Sequence, residues 1–337
     1  MGCASIPWRS GITVLTQQSL FVGGEPVPEN KTAGAVAAQA QAPEQHALAK
    51  RLPASVYFGT SSWSFPGWRG LVYQGDNLDE TRLARQGLAS YAQHPLLRAV
   101  GVDRGFYAPV PKSTLQRWFG EVPEDFRFLL KAHAALTTPK TARRPAFLQA
   151  APQVFLDPAY ACKEIIEPAQ QALRHKLGVI LFQFSPLGER VWRYRRELLE
   201  RLDQFLSELP LGSYAFEWRD VEIFGDDYAE VLARHGAIHG LAAHPRLPSL
   251  TQQARGLPVS EPLVIRWLLA RHLAYQEARQ RFAPFDQLCE PDESTRLEIA
   301  GAVKAAAASG REAIVIVNNK AEGSAPLSVT RLAETLG

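Results

Sequence analysis

The residues of this chain best suited to chemistry are charged and amide side chains that follow short apolar runs. In YAFEWRD (214–220), strand-like alternation puts Tyr214, Phe216 and Trp218 on one face and Ala215, Glu217 and Arg219 on the other. The large apolar face belongs under covering helices, which leaves Glu217 and Arg219 on the inner face. The same reading places Gln183 at the end of GVILFQF, Arg266 at the end of PLVIRW, and Asn318 and Asn319 after AIVIV. Lys131 ends FRFLLK, with His133 two residues on, and Asp103 ends the run from Ala99. Two guanidiniums beside Glu217 would hold it ionised and leave an electropositive surround suited to phosphate or carboxylate. Glu217 is then a general base or a charge anchor, and the alternative is a closed ion-pair cluster that satisfies only itself. Lys131 is an anion holder or, if burial deprotonates it, an amine nucleophile able to form a Schiff base; a lysine extending to solvent is the alternative. Asn318 and Asn319, ahead of Gly323, suit anion binding or turn capping.

The elements that must position these groups alternate between β-rich and helical. Candidate strands are 56–61, 99–103, 126–131, 178–184, 214–219, 237–242, 262–267 and 313–317. Between them, helical periodicity covers 78–93, 112–119, 168–176, 190–209, 226–235 and 293–309. Eight strands alternating with helices predict parallel β-α units closed into a TIM-type (β/α)8 barrel, in which loops at the strands' carboxyl ends build the active site. The other arrangement is a doubly wound sheet. Its first turn here, GTSSWSFPGWRG, carries bulky aromatics where a dinucleotide fingerprint needs close backbone approach, which disfavours a nicotinamide enzyme. Trp63, Trp68, Phe106 and Tyr107 fall in the loops after the first two strands, as stacking surfaces for a sugar or base or as an apolar lid.

Composition narrows the function classes. The 337 residues are 46% hydrophobic and 21% charged, a globular balance. Lys plus Arg (37) against Asp plus Glu (34) leaves a net charge of +3, too small for a protein that coats nucleic acid. The arginines of RVWRYRRELLER (190–201) are a candidate basic patch, with Glu197 and Glu200 supplying counter-charge on a solvated face as the alternative. No apolar run approaches the roughly 18 residues that span a bilayer, and the start shows no secretory pattern, so a cytoplasmic protein is expected. Cys3, Cys162 and Cys289 form an odd set without CxxC spacing, against a disulfide framework or a zinc knuckle. Asp103, Glu217 and His244 come from three strand ends and could gather around a divalent ion, but no HxH or HxxxE spacing supports it; His239 and His244 are expected on opposite faces. Residues 1–53, with the run AGAVAAQAQAPEQ, read as a poorly ordered low-complexity extension before a barrel domain at 54–337.

Several ordered blocks carry a resemblance. YFGTSSWSFPGWRGLVY (57–73), the segment 100–137 with Phe106, Tyr107 and Trp118, LGVILFQFSP (177–186), YAFEWRD and VNNKAEGSAP (317–326) resemble the DUF72, or YecE-like, family. The resemblance implies a TIM-type barrel and assigns no activity. Trp63, Tyr107, Lys131, Gln183, Glu217, Arg219, Arg266, Asn318 and Asn319 keep the family pattern. The departures are Val100-Gly101-Val102-Asp103 in place of Val-Glu-Ile-Asn, Asp220 in place of a histidine, Leu268 and Leu269 in place of His-Gly, and Thr137-Thr138 in place of Thr-His. The resulting expectation is an enzyme acting on a small anionic, phosphorylated or sugar-like substrate at the carboxyl rim. Glu217, Lys131 and Asp103 are its catalytic candidates, the remaining retained residues bind substrate, and no cofactor is called for. A non-catalytic binding or adaptor protein, with nucleic acid as a partner, is the alternative that the lost residues favour. Glu217→Gln is expected to spare the fold and abolish binding or turnover.

Overall fold

The computed structural model describes residues 35–139 and 148–337. Among these, eight barrel strands run parallel: β1 (Val56–Thr60), β2 (Ala99–Val102), β3 (Arg127–Lys131), β4 (Leu177–Gln183), β5 (Tyr214–Glu217), β6 (Ile238–His239, resuming at Leu241–Ala243), β7 (Leu263–Trp267) and β8 (Ala313–Val317). The helices are α1 (Pro43–Arg51), α2 (Glu80–Gln86), α3 (Leu88–Tyr91), α4 (Lys112–Glu121), α5 (Pro158–Ala161), α6 (Glu167–Leu173), α7 (Glu189–Trp192), α8 (Arg195–Ser207), α9 (Asp226–His235), α10 (Leu250–Ala254), α11 (Tyr275–Phe282), α12 (Glu293–Ala308) and α13 (Ala325–Leu336). The fold is the TIM-type α/β barrel expected from the strand alternation.

Its closure depends on the interrupted strand. The first half of β6 pairs with β5 and the second half with β7, so the sheet closes through two parts of one strand. Gly240, between them, still donates its N–H to Phe216 O at 2.9 Å. Beyond that point β5 has ended, and the Gln253 side chain takes a strand's place. Its Oε1 accepts the Ala242 N–H at 3.1 Å and its Nε2 donates to Ala242 O at 2.9 Å. A buried amide can satisfy one donor and one acceptor at once, as a strand neighbour would.

Side-chain alternation sorts two apolar layers. Inside the barrel, Tyr57, Ala99, Leu129, Val179, Leu181, Ala215, Ile238, Val264, Ile314 and Ile316 form a cluster of their own. Outside, Phe128, Phe182, Phe216, Trp218 and Trp267 pack beneath the helices; the Phe182 and Phe216 rings stack at 5.2 Å and Phe184 on Trp218 at 3.8 Å. The amino end of the barrel is plugged by Tyr57, whose ring lies under the guanidiniums of Arg98 (4.7 Å) and Arg127 (4.6 Å). Chemistry is left to the other end.

Two expectations change. Within the extension read as poorly ordered, residues 1–34, Cys3 among them, lie outside the described residues, but 35–53 are built into the fold. Ala37–Ala38 pairs antiparallel with Tyr73–Gln74, and α1 buries Leu48. The alanine-rich composition hid anchors that lie elsewhere: Ser90 Oγ donates to Val36 O at 2.5 Å and Gln41 Nε2 to Leu71 O at 2.8 Å. In addition, α1, α5, α10, α11 and α13 lie outside the helical segments read from periodicity. Proline at the first turn of α1, α5 and α13, and the Ser249–Gln252 capping box of α10, were the local signals available for four of them.

Two histidines buried by this packing tie stability to pH. Burial pushes His94, with His46 nearby, and His239 down to about 4. Their unfolded forms take up protons near pH 6.5 while the folded forms do not, so stability falls as pH drops through that window. Thermal melts between pH 6.5 and 5 are expected to lose up to about 1.5 kcal/mol per histidine. His94→Gln and His239→Gln should each flatten the slope; equal slopes in wild type and both variants would contradict the assignment.

Candidate functional site

Four strands deliver the charges to one rim. Arg266, the inward residue near the end of β7, is 2% exposed and spans two carboxylates. Its Nη1 donates to Glu217 Oε1 at 3.1 Å and Oε2 at 3.4 Å, and its Nη2 to Asp103 Oδ1 at 2.8 Å and Oδ2 at 3.1 Å. Glu217, fully buried at the end of β5, also accepts Arg219 Nη2 at 2.5 Å. Burial alone would raise the Glu217 carboxyl, but Arg219, Arg266 and Lys131 outweigh it and hold the group below the usual glutamate range. Both oxygens are thus engaged and the carboxylate stays ionised. The guanidinium of Arg266 stands between Asp103 and Glu217, two of the three groups considered for a divalent ion.

Lys131 arrives from β3. Its Nζ stands 4.0 Å from Asp103 Oδ1 and 4.0 Å from the Phe106 ring centroid. Burial, opposed by Asp103, lowers its ammonium to about 8. The approach requires Gly105, because a Cβ there would sit 2.2 Å from Lys131 O. That contact folds the turn Asp103–Phe106 onto the end of β3 and sets both the carboxylate and the ring beside the lysine.

The loop after β8 supplies a second lysine. Lys320 is 4% exposed; its Nζ donates to Asn318 Oδ1 at 3.2 Å and lies 4.5 Å from the Tyr275 ring centroid. Burial, against the pull of Asp103, lowers it to about 8. Asn318 also donates to Ser61 Oγ at 3.2 Å, tying the ends of β8 and β1 together. Tyr107 is raised to about 12 by burial, with Tyr275 and Asp103 adding to it. Gln183 ends β4 paired in register with Glu217, its Nε2 reaching Ser185 Oγ at 3.5 Å. His244, just past β6, accepts the Arg246 N–H on Nδ1; burial and then Arg219 push it down to about 4. His239 points away from the barrel axis to Tyr228.

The structure therefore brings Asp103, Lys131, Gln183, Glu217, Arg219, Arg266 and Asn318 together, and draws in Tyr107. Two of the expected binding residues face elsewhere. Trp63 is a core residue whose indole donates to Leu83 O at 3.1 Å and meets Trp118 edge-on at 5.1 Å. Asn319 Oδ1 accepts from Trp68 Nε1 at 3.1 Å and from Ala325 N at 2.8 Å, which makes it the brace of α13 rather than a ligand contact. Alternation could not place either, because both lie in turns beyond the strands. Lys320 was missed for the same reason, and Tyr275 because it opens α11, which lies outside the helical segments read from periodicity. Where the family pattern carries glutamate, Gly101 faces Ile316: a Cβ there would come within 3.0 Å of its Cγ2. Asp220, in the place of a histidine, accepts the Leu187 N–H at 2.8 Å.

Three arginines of the basic stretch in α7 and α8 have acidic partners. Arg193 faces Glu189, Arg196 faces Glu200, and Arg195 is held by Asp227 together with Glu222 O and Ile223 O. Of the two glutamates expected to supply counter-charge, Glu200 does so, and Glu189 and Asp227 supply the rest among the described residues.

A (β/α)8 barrel with an ionic network buried at its carboxyl rim is the class that these observations define. Residues 57–337 match the family described as "Protein of unknown function DUF72", and the chain belongs to that family. It is 27% identical over 196 residues to the UPF0759 protein YunF of Bacillus subtilis (strain 168), a match covering 57% of this chain and 62%, less than two thirds, of that protein. Crystal structures of DUF72 family proteins share the fold. That of Thermotoga maritima MSB8 aligns with TM-score 0.54 at 22% identity, over 83% of this chain and 98% of the other. That of Enterococcus faecalis V583 aligns with TM-score 0.53 at 18% identity, over 83% and 95%.

The network bears on stability, which revises the expectation for Glu217→Gln. Removing the charge leaves Arg219 and Arg266 buried without their shared partner, and breaking a buried pair costs roughly 3–5 kcal/mol. Urea unfolding of Glu217→Gln is expected to show that loss. A midpoint equal to wild type would contradict the closed network.

Proposed function

We propose that the rim binds a small anionic substrate, phosphorylated or sugar-like, and that the protein is an enzyme acting on it. The observation that carries this reading is the charge balance. Asp103 and Glu217 face Arg219, Arg266, Lys131 and Lys320, an excess of two positive charges when both lysines are protonated. Desolvated cations in excess favour an incoming anion, and burial, the main cause of the lowering of both lysines, is what leaves them desolvated.

The roles follow from how far each group is already committed. Glu217 is the charge anchor, because its oxygens are engaged and it is held ionised; it is not a ready proton acceptor. Arg266 fixes the spacing of the two carboxylates and takes the charge-compensating role a metal would have. Lys131 and Lys320 hold the anion, with Arg219 beside them. Asn318 and Gln183 offer amide contacts, and Tyr107 and Tyr275 wall the opening. Proton transfer falls to Lys131, which is partly neutral near pH 8. A cytoplasmic setting fits the free Cys162 and Cys289. Among the described residues no helix is long and apolar enough to cross a membrane.

Thermal shift with inorganic phosphate tests the reading. A ligand at about 100 times its Kd stabilises by about 2.7 kcal/mol, a shift of several degrees. Phosphate should raise the wild-type Tm, and Lys320→Gln and Arg219→Gln should each reduce the rise. No shift in wild type, or an undiminished shift in both variants, would overturn it.

A further inference from the structure

We propose that Lys131 is a covalent nucleophile, forming an imine with the aldehyde or ketone group of a substrate whose anionic group the neighbouring cations hold. The inference rests on the anion-binding reading above and adds the substrate class.

Three buried lysines on the same fold are held very differently. Lys176, 2% exposed, donates to Phe119 O and Val122 O, both at 2.9 Å, and pairs with Glu124 at 3.4 Å. Lys320 donates to Asn318 Oδ1. Among the described residues, Lys131 Nζ makes no hydrogen bond; the Asp103 carboxylate stands at 4.0 Å and the Phe106 ring centroid at 4.0 Å. A buried ammonium is ordinarily tied to acceptors, because leaving its donors unmade is costly. A lysine left untied at the rim of a barrel, its chain fixed by a strand, has its nitrogen available for a ligand.

The surroundings suit the chemistry. Burial, and after it Arg266 and Arg219, disfavours the charged ammonium and so favours the neutral amine that attacks a carbonyl. The Nζ lone pair forms the C–N bond as the carbonyl π pair moves to oxygen. A proton passes from nitrogen to that oxygen, giving a carbinolamine. The hydroxyl then leaves as water with one further proton, and the nitrogen lone pair forms the C=N bond. The protonated imine carries the same single charge as the ammonium it replaces, so the Asp103 carboxylate and the Phe106 ring still face a cation. No oxidant or metal is needed.

The experiment is reductive trapping of the full chain with glyoxylate, a small carboxylate-bearing aldehyde, and cyanoborohydride, followed by peptide mapping. Carboxymethylation of Lys131 is expected at least tenfold faster than of exposed Lys163. Inorganic phosphate should protect Lys131, and glycolaldehyde, which lacks the charge, should label it at least tenfold more slowly. Lys131→Arg should lose the adduct; the wild-type map decides alone if that variant does not fold. Labelling confined to exposed lysines or to Lys320, with the phosphate shift intact, overturns the imine and leaves anion binding standing. Absence of both phosphate protection and the phosphate shift overturns the anion reading itself.

Discussion

Arg266 is one guanidinium with two carboxylates, and the rim is organised around it. Its fork meets Glu217 from β5 on one side and Asp103 from the turn after β2 on the other, joining elements that are not neighbours in the sheet. A planar fork with fixed donor directions can hold two carboxylates at a set spacing, which a flexible lysine would not. The carboxylates in turn fix what surrounds them. Glu217 fastens Arg219, while Asp103 draws Lys131 and Lys320 toward the mouth and opposes the lowering that burial imposes on both. Such a network need not add net stability, since desolvation offsets most of the attraction; its value is in specifying geometry.

The backbone around this clamp is shaped to allow it. Gly105 permits the turn carrying Asp103 to rest on the carbonyl of Lys131. The interruption of β6 at Gly240 and the substitution of the Gln253 amide for a strand let β5 end at Glu217 without exposing unpaired backbone groups on Ala242. At the far end, Tyr57 between two arginines closes the cylinder. One end is therefore a packed plug and the other an ionic surface with unused positive charge.

The strand cores and the inward direction of Glu217, Arg266, Lys131 and Gln183 were legible because alternation is a local property: one face of each strand is aromatic or branched, and the other ends in a polar group. The turns were not legible in the same way. Trp63 and Asn319 lie one to three residues past a strand, where the period of two no longer applies, and each turns into the core to satisfy an indole or a helix end. Lys320 turns the other way, toward the mouth, for the same reason. Residues 35–53 were misread because composition reports the capacity to form a core, not the ability to borrow one through Val36 and Leu48. The role of Glu217 was open in the sequence, which shows that two arginines share its face but not that they engage both its oxygens.

The central claim is that positive charge at the rim exceeds negative and is stored on two desolvated lysines poised near pH 8. Calorimetry of sulfate binding at pH 8, in two buffers of different ionisation heat, addresses it directly, because sulfate does not titrate there and any proton exchanged belongs to the protein. The account predicts uptake of up to about one proton per sulfate, as the bound anion draws Lys131 and Lys320 back toward their ordinary value. Binding with no proton uptake, or with release, would contradict it.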